Sequence, residues 1–279
     1  MKKILSVFFV AILALSLLAG CSTGKKGPNT AVDGKKVKIE LDGSTSVTPL
    51  AEALGKAYEA KNANVQVNVN GSGSAAGITA ITNGTCDIGM SSRALKAEET
   101  GLTEHKIALD GIAVVVNPSN TIKNLTIDQI TKIFKGEITS WKDVGGVDEK
   151  IILVSREEGS GSRDAFEELA KLVGSDKRSL VAKDALIANS TGAVQQNVSS
   201  KKNGIGYISL GAVNEAVKAV SIEGVEATDA NIVAGKYKIS RPFLLLTKDP
   251  SAEALAFIDF VMSDEGQKIV VDNKFISGK

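Results

Sequence analysis

Patterns typical of β-strands alternate with patterns typical of α-helices along most of this chain. Residues 37–41 alternate between apolar and polar side chains, and residues 50–57 then repeat apolar side chains at helical spacing. The same change recurs after residues 65–69, and the apolar run 112–116 is typical of a strand buried on both faces. The alternation predicts an α/β fold of mostly parallel strands with helices on both sides of the sheet.

The first 36 residues differ in composition from the rest. Residues 1–20 carry two lysines directly after Met1 and continue as an apolar run too short to span a membrane, which is typical of a signal peptide. This run ends in Leu-Ala-Gly before Cys21, an order that resembles the bacterial lipobox. We therefore expect Cys21 to become a lipidated N-terminus. Residues 21–36 are rich in Gly, Lys and Ser without apolar periodicity, and we expect them to form a flexible tether.

Two breaks divide the remaining chain. One is the segment 117–120, which reads NPSN, and the other is the Arg-Pro pair at 241–242 before an apolar run. If the chain crosses between domains at these breaks, residues 37–115 and 243–279 form one discontinuous domain and residues 116–242 form the other. The length of 279 residues also favours two domains, at about 100 to 200 residues each.

Turns rich in glycine and hydroxyl side chains stand at three strand-to-helix junctions. They are 43–49 (GSTSVTP), 71–77 (GSGSAAG) and 156–163 (REEGSGSR), and we expect Thr48 to cap the first helix. A helix N-terminus offers unpaired N–H groups and a partial positive charge, and glycine lets a ligand approach the backbone closely. The three turns predict a site for a small anion. The alternative is that each turn only caps its own helix.

Composition excludes several other functions. A net charge of +1 provides no basic surface for nucleic acid, and 4% aromatic residues leave little for stacking on sugars. His105 is the single histidine, and Cys21 and Cys86 are the two cysteines. We therefore expect no metal or iron–sulfur site of the usual spacing and no conventional catalytic triad, and we expect Cys86 to be a small buried residue.

The second turn also fits a dinucleotide-binding pattern. Gly71, Gly73 and Ala76 match G-x-G-x-x-A, but the acidic residue expected after the next strand is missing, since residues 88–93 read IGMSSR. The chain also lacks the Gly-Lys-Ser/Thr of a kinase-type P-loop and a G-x-S-x-G elbow at these turns. Anion binding is favoured over nucleotide binding.

Six segments taken in order resemble the PstS-type phosphate-binding lipoproteins of ATP-driven phosphate importers. They are 43–46 (GSTS), 71–77 (GSGSAAG), 87–93 (DIGMSSR), 133–141 (IFKGEITSW), 156–162 (REEGSGS) and 204–207 (GIGY). The resemblance covers nearly the whole chain after the signal. It implies a type II periplasmic-binding-protein-like fold of two hinged domains that bind inorganic phosphate between them. It also implies a monomer without cofactor or enzymatic activity that serves an ABC permease at the extracytoplasmic face of the membrane.

The resemblance also implies which residues contact phosphate. From the three turns they are Thr45, Ser46, Ser74, Ser160, Gly161 and Ser162. Arg156 falls at the arginine that pairs with phosphate, and Glu158 falls at the acid that orients it. Ser92 stands where many members have an aspartate that accepts the phosphate proton. Because serine can donate or accept, we expect Ser92 to discriminate less sharply between phosphate and sulfate.

Two other functions stay open at this point. One is a binder of another tetrahedral oxyanion, such as sulfate. The other is a secreted phosphate-ester hydrolase, which would need a nucleophile with a base or a metal site, and the single histidine and two cysteines make both hard to build.

Overall fold

The structure is a computed structural model, and it describes residues 36–279. The predicted signal peptide, the lipidation site Cys21 and nearly all of the predicted tether lie outside the described residues. In chain order the strands are β1 (Val37–Gly43), β2 (Val65–Gly71), β3 (Ile88–Ser91), β4 (Thr103–Val116), β5 (Asn124–Leu125), β6 (Ile152–Arg156), β7 (Leu186–Ala188), β8 (Gly204–Ser209), β9 (Lys218–Ala219), β10 (Ser221–Ile222), β11 (Ser240–Thr247) and β12 (Ile276–Ser277).

The α-helices alternate with the strands over much of the chain, as the sequence predicts, but β3–β5 and β8–β10 follow one another without an intervening α-helix. The helices are α1 (Thr48–Lys61), α2 (Ser74–Thr82), α3 (Ile127–Lys135), α4 (Gly161–Leu169), α5 (Thr191–Ser200), α6 (Asp229–Val233), α7 (Ala252–Met262) and α8 (Asp264–Asp272). Within residues 36–279, none of the helices has both the length and the apolar character that crossing a membrane requires.

The main sheet is mixed, which corrects the expectation of mostly parallel strands. Its order is β2-β1-β3-β11-β4-β8-β6-β7, and β9 and β12 also pair with β4. β1 is parallel to β2 and β3, and β6 is parallel to β7 and β8. β11 runs antiparallel to β3 and β4, and β4 runs antiparallel to β8. Apolar periodicity reports burial but not strand direction, so the sequence could not show this reversal.

The long strand β4 links two large apolar clusters. Its residues Ile107 and Ala108 belong to a cluster with α1, α7 and α8, whereas Ile112 and Val114 belong to a cluster with α3 and α4. The chain passes between the same two clusters again at β11, because Ile239, the residue before β11, belongs to the second and Phe243, in β11, to the first. The predicted division into two domains stays a prediction.

Two local expectations are corrected by the backbone. Helix α1 begins at Thr48 and is preceded by Val47 as its N-cap, and Thr48 Oγ1 donates to Ser44 O at 3.1 Å, so the predicted cap at Thr48 is wrong. The reason is that the chain already turns at Ser44, whose carbonyl accepts from the N–H groups of Val47 and Thr48.

Cys86 is only partly buried, which corrects the expectation of a buried residue. Its surroundings raise the pKa of the thiol to about 11, mainly through burial.

Candidate functional site

The three predicted turns meet in one hydrogen-bonded cluster. Ser46 Oγ, before α1, lies 2.9 Å from Ser162 Oγ in the first turn of α4. Ala75 N, in the first turn of α2, donates to Gly159 O at 3.0 Å. The start of α2 and the start of α4 are therefore in direct contact, and the turn before α1 joins them.

A fourth turn, which the sequence analysis missed, completes this cluster. Thr191 opens α5, and its Oγ1 lies 2.9 Å from Ser46 Oγ, while its N–H donates to Thr45 Oγ1 at 3.3 Å. Ser190 caps the helix by accepting from Ala193 N. The turn follows β7, which is three residues long and carries too little periodicity to be recognised as a strand. The one local indication of a helix start here was the Ser-Thr-Gly at 190–192, which follows the short apolar stretch 185–188.

Arg156 points into the cluster from the end of β6. Its side chain is buried, with 2% of its surface exposed, and its Nη1 and Nη2 donate to Thr191 Oγ1 at 3.4 Å and to Thr45 Oγ1 at 3.2 Å. Glu157 holds the guanidinium from the other side, accepting from Nε and Nη2 at 2.7 Å each. The orienting acid is thus Glu157, which corrects the assignment to Glu158. Glu158 is exposed, because it lies one residue further round the turn that leaves the sheet.

Arg163 belongs to a different set of contacts. Its Nε donates to Glu167 Oε1 at 2.6 Å, and its Nη1 donates to the backbone oxygen of Arg156 at 3.2 Å. Its guanidinium therefore supports the turn from behind, whereas that of Arg156 faces the hydroxyls.

Ser92 joins the cluster beside Ser74. Its N–H donates to Ser74 Oγ at 3.1 Å, and the two hydroxyl oxygens lie 3.3 Å apart. Arg241, which the sequence analysis treated only as a domain crossing, donates from Nη1 to Ser92 Oγ at 3.2 Å and to Ser162 Oγ at 2.6 Å. Arg241 also pairs with Asp110, and both side chains are buried.

The cluster consists almost entirely of hydrogen-bond donors. The hydroxyls of Ser46, Ser74, Ser92, Ser160 and Ser162 all belong to buried residues. In the part of the chain that the structure describes, none of these hydroxyls bonds to a carboxylate. Ser160 caps α4 by accepting from Arg163 N at 3.3 Å. Hydroxyls, helix N-termini and two guanidiniums in one buried place are suited to an anion with several oxygens.

Gly161 is required for this packing. A Cβ at this position would overlap Ser74 Oγ and would lie 2.8 Å from Ser92 Oγ, where ordinary contact begins at 3.4 Å. The absent side chain allows α4 to approach the start of α2 closely.

Over residues 36–279, no group of three or more His, Cys, Asp or Glu side chains is placed to hold a metal ion.

Comparison with known proteins identifies the class. The PBP superfamily domain matches residues 27–265. The chain is 31% identical to the phosphate-binding protein PstS of Borreliella burgdorferi over the full length of both proteins, and 29% identical to that of Bacillus subtilis over 99% of this chain and 93% of that protein. The chain therefore belongs to the PstS family of the PBP superfamily.

Solved structures give the same answer for the fold. A phosphate ABC transporter substrate-binding protein from Clostridium perfringens, determined with bound phosphate, has a TM-score of 0.84 and 42% identity, and the alignment covers 87% of this chain and all of that one. An ABC-type phosphate transport receptor from Vibrio cholerae has a TM-score of 0.72 and 39% identity over 86% of this chain and all of that one. The predicted α/β fold of the type II periplasmic-binding-protein class is confirmed.

Proposed function

We propose that this protein binds inorganic phosphate in the hydroxyl cluster and delivers it to the permease of an ABC transporter at the extracytoplasmic face of the cell membrane. The observation that carries the proposal is the meeting of four helix starts with the buried guanidinium of Arg156. A micromolar dissociation constant needs about −8 kcal/mol, and hydrogen bonds to a charged group contribute about 1.5 to 3 kcal/mol each. A few such bonds are enough to exceed the costs of binding.

The same contacts support a binding role without catalysis. His105 Nε2, on β4, lies 3.0 Å from Thr247 Oγ1 on the neighbouring strand β11, and it makes no contact with the cluster. The charged groups that do touch the cluster hydroxyls are guanidiniums, which stay protonated and cannot act as bases. A hydrolase would need a base within hydrogen-bond reach of one of these hydroxyls.

We further propose that the site opens by a hinge. Residues 37–115 with 243–279 would form one domain and residues 116–242 the other, and β4 and β11 would carry the hinge. The first set supplies Ser46, and the second supplies Ser162 and Thr191, whose hydroxyls now bond to that of Ser46. Phosphate would enter when these bonds part and would then replace them as the partner of each hydroxyl.

The same proposal places a lipid on Cys21. A pair of acyl chains buries many CH₂ groups at about 0.8 kcal/mol each, so the monomeric protein would stay at the membrane without a spanning helix. The test is the Cys21→Ser variant in cell fractions. We expect it to be released or to remain an uncleaved precursor, and a cleaved form that stays with the membrane would contradict the assignment.

The phosphate proposal is tested by calorimetry of the purified full chain with phosphate and with sulfate. Arg156→Ala should weaken phosphate binding by about 2 to 5 kcal/mol, because it removes a buried charged partner. Arg163→Ala is the matched control and should change affinity less than tenfold, because its guanidinium faces Glu167. Equal small effects of both variants would place the site elsewhere, and sulfate binding as tight as phosphate binding would refute phosphate uptake.

A further inference from the structure

Arg241 divides its donors between two environments. Nε and Nη2 donate to Asp110 Oδ2 at 3.2 and 3.1 Å, while Nη1 donates to the hydroxyls of Ser162 and Ser92 and to the backbone oxygen of Ser92 at 3.3 Å. Both Arg241 and Asp110 are at least 98% buried. An arginine that only tied β11 to β4 would need the first set of bonds but not the second.

The second set of bonds connects Arg241 to Arg156 through hydroxyls alone. Arg156 Nη1 bonds to Thr191 Oγ1, Thr191 to Ser46 Oγ at 2.9 Å, Ser46 to Ser162 Oγ at 2.9 Å, and Ser162 accepts from Arg241 at 2.6 Å. These five residues form one chain with a guanidinium at each end. Both guanidiniums therefore face the same small group of hydroxyls.

The charges of this arrangement favour a bound anion. Burial and the nearby positive charge of Arg156 lower the pKa of Arg241, whereas Asp110 opposes that change. Two buried cations near one another are costly unless negative charge compensates them. Asp110 compensates Arg241, and Ser209 donates to its other oxygen at 2.8 Å. An oxyanion bound among the hydroxyls would compensate the positive charge of both guanidiniums on the side where they donate to these hydroxyls.

We propose that Arg241 is a second arginine of the phosphate site and that Asp110 is its positioning residue, an inference that rests on the proposed function. The geometry also assigns a role to Ser92. Ser92 Oγ accepts from Arg241 at 3.2 Å and lies 3.3 Å from Ser74 Oγ, so a bound anion would take the place of Ser74 as the acceptor of the Ser92 O–H. With its O–H directed at the anion, Ser92 recognises an unprotonated oxygen.

The test is a double-mutant cycle with calorimetric titration of inorganic phosphate into the full chain. The variants are Arg241→Gln, Asp110→Asn and the double variant, which removes both buried charges and so keeps the comparison possible if a single variant unfolds. Arg241→Gln should weaken phosphate binding on the order of 10- to 100-fold, the range of one lost charge-assisted hydrogen bond. Asp110→Asn should weaken binding less and should have no further effect when Arg241 is already Gln.

Arg178→Gln is the control. Arg178 is exposed, and its Nε donates to Asp176 Oδ2 at 2.6 Å, away from the hydroxyl cluster. It should bind phosphate within about twofold of the unmodified chain, on the expectation for a site not in contact. If Arg156→Ala loses affinity while Arg241→Gln and the double variant bind normally, Arg241 is only structural and the inference is overturned. If the unmodified chain binds no phosphate, the proposed function itself has failed.

Discussion

The substitution Gly161→Ala tests how tightly the two helix starts must pack around the anion. The added Cβ would overlap Ser74 Oγ and stand 2.8 Å from Ser92 Oγ, which is 0.6 Å short of ordinary contact. Ser74 cannot yield easily, because it is buried and its Oγ accepts from Ser92 N at 3.1 Å. Overpacking of this kind typically costs about 1 to 3 kcal/mol.

The strain can be relieved by moving the start of α4 away from the start of α2. That movement would stretch the bond from Ala75 N to Gly159 O, now 3.0 Å, and would separate donors on the two sides of the anion. Loss of one hydrogen bond to a charged ligand costs about 1.5 to 3 kcal/mol, and each 1.4 kcal/mol is about tenfold in affinity. We expect phosphate binding by Gly161→Ala to fall on the order of 10- to 100-fold.

Calorimetry and thermal unfolding of the same preparations measure both effects. Gly192→Ala is the matched control, because Gly192 also lies in the first turn of a helix, α5, and a Cβ there would meet nothing within 4 Å. It should bind phosphate normally, and its helix should gain stability, up to about 1 kcal/mol. Native affinity together with native stability in Gly161→Ala would refute the idea that α2 and α4 close on the ligand at this glycine.

Three further outcomes follow from groups that are buried or partly buried. Tyr207→Phe should lower the free energy of unfolding in urea by about 1 to 3 kcal/mol, since the hydroxyl accepts from Arg156 N at 3.1 Å and the donor would be left unsatisfied. Burial raises the pKa of Asp110 from 3.8 to about 6, which means that folding favours the protonated carboxyl. The stability gained in this way is fully present below pH 3.8 and is lost as the pH rises through 6. The stability of the protein relative to Asp110→Asn should therefore fall over that range, and a flat difference would contradict it. The raised thiol pKa of Cys86, about 11, should make maleimide labelling of the Cys21→Ser chain at pH 8 much slower than labelling in urea.

The parts of the site that the sequence predicted are those with a local signal. The turns before α1, α2 and α4 follow strands long enough to show periodicity, so their glycines and hydroxyls could be placed at helix starts. Thr191 follows a strand of three residues, and the same reasoning missed it. The sequence assigned the acid beside Arg156 to Glu158, one residue after Glu157, which makes the contact in the structure. The choice between the two depends on the residue at which β6 ends.

The contribution of Arg241 depends on strand pairing and had no local signal. It lies opposite Asp110 only because β11, from near the end of the chain, pairs antiparallel with β4. Periodicity within one segment carries no information about such a partner, and Asp110 itself lies next to a glycine in an otherwise apolar stretch. One of the two guanidiniums of the site could therefore not be assigned before the sheet order was known.

Pairing each arginine with a carboxylate explains how a nearly neutral chain can hold an anion. Arg156 is balanced by Glu157 and Arg241 by Asp110, so the guanidiniums add direction and donors without a large net charge. The remaining attraction comes from the N-terminal N–H groups of α2, α4 and α5 and from serine and threonine hydroxyls, none of which titrates near neutral pH. The electrostatic attraction that helix N-termini provide for an anion is confined to the first turn of each helix. Anion binding thus depends on how closely those turns approach one another, and the absent side chain of Gly161 sets the distance between the starts of α4 and α2.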